Sequence, residues 1–158
     1  MLDRVRQATR RDHAEVDAAY AGFDLSHRDG YQAFLEAHRQ AFWRLGASWG
    51  PEDRTDFEAL AAALDADLED LDATPERPPP LPSLDVRAVA YVIRGSRLGA
   101  AVLKRRIGPG LPARYMHQRL SLPWGEFTRR LAEAEIDEAV VRDARSAFAA
   151  FLPQSPTS

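Results

Sequence analysis

Residues 83–110 read SLDVRAVAYVIRGSRLGAAVLKRRIGPG, and what they form decides the fold. No convincing period-two alternation runs through them, so they are not read as strands. A helix fits better. Ser83 is placed to cap it, the run extends to about Ile107, and Gly108-Pro109-Gly110 stops it. Gly95 and Gly99 interrupt this helix one turn apart. The preceding TPERPPPLPS, residues 74–83, cannot be helical, because each proline removes an amide donor and restricts its predecessor. It is a stiff extended connection.

The pattern repeats outward in both directions. Val5, Ala8, Thr9, Asp12/His13, Val16 and Tyr20 follow a 3.6-residue period, which predicts a first helix from about Asp3 to Ala19. In DLSHRDG, Ser26 is an N-cap candidate with Asp29 three residues on. Phe34, Leu35, His38, Phe42 and Leu45 stripe a second helix that Gly50-Pro51 stops. Phe57, Leu60, Leu64, Leu68 and Leu71 stripe a third. A short helix is expected around Arg114–Leu120 and another through Trp124, Phe127 and Leu131. A last helix carries Val140, Val141, Ala144, Phe148 and Phe151. The fold class predicted is all-α: one helical domain over residues 1–152 with six or seven helices, followed by a short polar tail at 153–158.

Composition excludes several functions. The 158 residues are 45% hydrophobic and 28% charged, which suits a folded globular chain. A net charge of −3 supplies no overall attraction to nucleic acid. With no cysteine, thiolate zinc sites, iron–sulfur ligation and cysteine nucleophiles are ruled out. No apolar run reaches the ~20 residues needed to span a bilayer, and the charged N-terminus has no signal-peptide core. The expectation is a cytoplasmic protein that binds neither nucleic acid nor membrane.

Two features could carry chemistry. In ATRRDHAEVD, residues 8–17, His13 shares a helix face with Val5, Thr9, Val16 and Tyr20, so it points inward or lines a cleft. Asp17 lies at i+4, within reach of one ring nitrogen. A carboxylate there fixes the tautomer and raises the basicity of the other nitrogen, as a metal-binding imidazole requires. The plain alternative is a core histidine bonded to a neighbour. Gly95 and Gly99 leave bare backbone on one helix face, where either another helix packs closely or a flat ligand lies. Neither nucleotide-binding glycine motif fits their spacing. His38 reads as a packed core residue, and His27 and His117 as capping or exposed. Arg6 and Arg10 flank the His13 face.

VRQATRRDHAEVD and AYVIRGSRLGAAVLKRRI, together with WGEFTRRLAEAEIDEAVVRDARSAFAAF, resemble the haem oxygenase family. The likeness is to its bacterial biliverdin-producing, bacteriophytochrome-associated branch, and it spans nearly the whole chain in order. The resemblance implies a single-domain helical fold with haem (iron protoporphyrin IX) between the first helix and a kinked distal helix. It implies His13 as the iron ligand, Asp17 as the residue orienting it, and Arg6 and Arg10 as contacts to the haem propionates. Gly95 and Gly99 match the distal glycines. Ser96 stands where many members have an aspartate serving a distal water network. Ala100 replaces a glycine, and the C-terminal lid is expected to be short.

The activity so implied is cleavage of haem, with O2, to biliverdin, Fe2+ and CO. A neutral imidazole suits it, and Ser96 with the backbone at Gly95 and Gly99 would serve the bound oxygen through water. Electrons would come from an external donor, a ferredoxin or reductase, because no flavin or nicotinamide motif is present. A bacteriophytochrome could receive the biliverdin. Ala100 and the short terminus favour an alternative, a non-catalytic haem oxygenase-like binding or regulatory module. A third reading keeps the fold and makes His13 a general base towards a small metabolite.

Overall fold

Residues 86–103 form the expected helix in the computed structural model, which describes residues 1–154. In chain order the helices are α1 (Leu2–Ala8), α2 (Arg10–Tyr20), α3 (Arg28–Leu45), α4 (Arg54–Asp70), α5 (Val86–Leu103), α6 (Arg114–His117), α7 (Trp124–Glu133) and α8 (Glu138–Phe151). Among the described residues there is no strand. The fold is all-α, and no helix among those residues is long and apolar enough to cross a membrane. Most of the polar tail expected at 153–158 lies outside the described residues.

Helix α5 differs from expectation in two ways. Its cap is Asp85 rather than Ser83: Asp85 Oδ1 accepts the Arg87 amide at 2.9 Å. A carboxylate beside the first free amides is a stronger acceptor than a hydroxyl two residues earlier. The Arg87 guanidinium then joins Asp85 to Asp137, at 3.1 and 2.8 Å, and Asp137 caps α8 through the Ala139 amide. One arginine thus ties two helix starts together. Secondly, Gly95 and Gly99 do not interrupt α5, which is helical throughout. Each glycine costs about 1 kcal/mol in helix propensity, and burial of Val89, Ala90, Val92 and Ile93 offsets it.

The interruption falls instead in the first helix. Thr9 leaves helical geometry (φ −103°, ψ 7°), dividing α1 from α2. Its hydroxyl donates to the Val5 carbonyl at 2.7 Å, the back-bonding that bends helices at buried threonines. The two halves part company here. Val5 on α1 is fully buried with Ala88, Val140 and Ala144, whereas α2 buries no residue.

Helix α8 packs against α1, α2, α3 and α5. Phe34, Leu35 and Phe42 of α3, Phe57, Leu60 and Leu64 of α4, Ile93 of α5 and Phe151 of α8 make the main core. The expected Ser26 cap is replaced by an Asp24 turn. Asp24 accepts the Ser26 amide at 3.0 Å and its hydroxyl at 2.6 Å, and α3 starts at Arg28 without a side-chain cap. The proline-rich connection is neither helix nor strand; Leu81 within it donates its amide to the Arg44 carbonyl, and Leu84 just after it donates to Ser48 Oγ. Helix α6 is shorter than expected, and buried Asp67 receives its first amides, Arg114 and Tyr115, at 3.1 and 2.9 Å.

Candidate functional site

Between α2, which meets the core only through partly buried Val16 and Tyr20, and α5 lies a cleft of about 430 Å³. That volume lies in the range of small-molecule sites. Helix α8 packs against both flanking helices and contributes Phe148 and Phe151 to the cleft, with Phe34 and His38 from α3. The cleft brings together every residue singled out in the two motifs: Arg6, Arg10, His13 and Asp17 from the N-terminal side, Gly95, Ser96 and Gly99 from α5.

His13 lines the cleft rather than filling the core. Its side chain is 63% exposed and its Nε2 is 3.5 Å from Asp17 Oδ2. One face of the ring stacks on Phe148, with centroids 5.5 Å apart and planes inclined by 28°. Phe148 sets the plane of the imidazole, and Asp17 stands at ion-pair distance from Nε2, longer than an ordinary hydrogen bond.

The two glycines of α5 are not equivalent. A Cβ built on Gly99 would meet nothing within 4 Å, whereas one on Gly95 would touch the Trp124 indole at 3.4 Å. Trp124 therefore packs over Gly95, and the bare backbone open to a ligand is at Gly99. Ser96 Oγ donates to the Ile93 carbonyl at 2.6 Å, so its hydroxyl turns lone pairs, not a proton, to other partners. Ala100 lines the cleft and is buried.

His38 is the residue whose place in the cleft the helix stripe concealed. It is buried, and its Nδ1 lies 2.9 Å from the Phe34 carbonyl. A carbonyl only accepts, so the neutral ring carries its proton on Nδ1 and keeps a lone pair on Nε2. Burial pushes the imidazole down to about 4, with the Phe34 bond opposing and the Arg97 charge reinforcing the shift. Between that value and 6.5 the unfolded chain binds a proton that the folded chain does not. Stability therefore falls as pH drops through this window, by on the order of 3 kcal/mol. In a His38→Leu protein this part of the slope should vanish, which urea unfolding at several pH values measures. Equal slopes in the two proteins would contradict the assignment.

Tyr91, Trp124, Phe148 and Leu103 also line the cleft. In the sequence they belong to helical stripes, and a stripe facing a cleft has the same period as one facing a core. Among the described residues, no group of three histidine, aspartate or glutamate side chains could hold a metal ion. A single imidazole instead suits a group that brings most of its own ligands. No protein family matches the chain, and neither does any curated protein or solved structure.

Proposed function

We propose that the cleft between α2 and α5 takes haem as its substrate, and that the chain is a biliverdin-producing haem oxygenase. One observation carries this reading. No residue of the 11-residue helix α2 is fully buried, Val16 and Tyr20 are only partly so, and His13, Val16 and Tyr20 face the cleft. A flat apolar ligand there would complete its packing. The cleft holds an imidazole on the α2 side and open backbone at Gly99 on the α5 side, the two contacts an iron porphyrin needs on its two faces.

Bound haem would supply the iron that takes up O2 and the porphyrin carbon that is attacked. The chain's own residues supply binding and orientation. His13 holds the iron through one nitrogen and Asp17 engages the other. Phe148 and Trp124 present apolar surface, while Arg6 and Arg10 provide cations for the propionate carboxylates. On the α5 side, Gly99 lets the plate approach the backbone and leaves no side chain to compete for the iron. The committed Ser96 hydroxyl, which offers no proton donor, favours as second reading a haem-binding module without turnover.

Gly99→Leu tests the site. A Cβ at Gly99 meets nothing within 4 Å, and helix propensity gains up to about 1 kcal/mol. The variant should fold at least as well as the parent and lose hemin binding by roughly tenfold or more, since the side chain fills the space of the ligand. A folded Gly99→Leu protein with unchanged hemin affinity and turnover would remove α5 from the site.

A further inference from the structure

The other flank of α5 borders a second groove, of about 600 Å³, closed on its far side by residues 116–124. Its wall holds no carboxylate. Arg94 in that wall is neutralised by Asp53 and Asp56, but Arg97, Lys104 and Arg119 pair with no carboxylate among the described residues. Arg97 spends Nη2 on the carbonyls of Tyr115 and Gln118, at 2.6 and 3.0 Å, and its buried Nη1 has no partner. Exposed Arg105 and Arg106 follow Lys104 directly. The α5 macrodipole supplies only about half a negative charge at that end, so it cannot balance three cations. Leu98 and Val102, one turn apart on α5, are 52% and 66% exposed beside them. Apolar residues ringed by cations, on a chain of net charge −3, make a local surface of opposite sign to the whole.

We infer that this face of α5 is the docking surface for a small acidic one-electron carrier protein. The inference rests on the proposed function, which requires electrons from outside the chain. An apolar centre with a charged rim suits a transient, charge-steered protein contact, whereas a nucleic-acid backbone would leave Leu98 and Val102 in water. Position supports the choice: Leu98 and Trp124 line both the groove and the cleft. A carrier seated in the groove is separated from the cleft by a shared wall of side chains.

The probe is an acidic [2Fe–2S] ferredoxin, with binding to the haem-free chain followed by calorimetry and by NMR shifts. Affinity should fall at least tenfold between about 20 and 200 mM salt, with shifts centred on Leu98 and Val102. Lys104→Glu with Arg119→Glu, both at exposed positions, should weaken binding at least tenfold at low salt. Arg129→Glu, on exposed α7 surface, should leave it unchanged. Unchanged affinity in the double variant, an equal loss in the Arg129 control, or a preference for a DNA duplex over ferredoxin would overturn the inference. Ferredoxin binding that behaves as expected in a chain that fails to bind hemin would sink the proposed function and leave this surface standing. Turnover of haem with ferredoxin affinity indifferent to Lys104 and Arg119 would do the reverse.

Discussion

Replacing His13 with alanine is expected to abolish haem turnover and the histidine-ligand spectrum together, leaving a folded protein. The side chain is mostly exposed and contacts Phe148 on one face only, so its removal costs little packing. What it takes away is the one imidazole on the α2 side of the cleft. Added imidazole, small enough to enter the space vacated, should partly restore both spectrum and turnover. His38 does not take its place: it is buried, and its ring is wedged among Tyr20, Phe34 and Tyr115. A His13→Ala protein whose ferric spectrum and rate match the parent would refute the ligand assignment.

The largest stability effect is expected at Arg94. This side chain, 1% exposed, places Nε and Nη2 on Asp53 Oδ1 at 3.0 and 2.7 Å and Nη1 on Asp56 Oδ2 at 3.0 Å. It lies over the Phe57 ring, 5.2 Å from the centroid. Asp56 also accepts the Ser121 amide at 2.8 Å. Burial alone would raise its carboxyl, but hydrogen bonds from Ser121, Arg94 and Leu122 outweigh that and hold it below the usual range. The cluster joins α5 to the start of α4 and to the segment before α7. Arg94→Ala leaves two buried carboxylates without their cation, a loss of about 3–5 kcal/mol. For a chain this long that lowers Tm by on the order of 10 °C. Denaturant unfolding reads the loss directly, and a change below about 1 kcal/mol would show that the pair contributes no net stability.

The helical architecture was legible because burial on one face imposes a 3.6-residue period, and α3, α4 and α8 carry it plainly. Ends and breaks were less so, since they turn on local competition between acceptors. Asp85 displaced Ser83, Asp24 displaced Ser26, and the Thr9 hydroxyl divided a helix whose apolar period continues across it. That division explains His13: the period placed it on an inward face, but α2 departs from the core at Thr9 and its face opens on a cleft. The glycines of α5 carry a propensity cost that is local and visible in the sequence, whereas the packing that offsets it comes from α8, distant in the chain. Arg94 gave no signal. Its partners lie 41 and 38 residues away in the chain, and an arginine in a helix stripe is ordinary until the fold sets a carboxylate beside it.

The central claim is that the cleft between α2 and α5 receives haem with His13 on its iron. Titrating the purified chain with hemin and recording the visible and resonance Raman spectra tests this most directly. The account predicts a saturable one-to-one complex with a histidine-ligated Soret band and an iron–imidazole stretch in the reduced form, which on addition of reductant under air gives way to the biliverdin absorption. A chain that leaves the hemin spectrum unaltered at saturating concentration would contradict it.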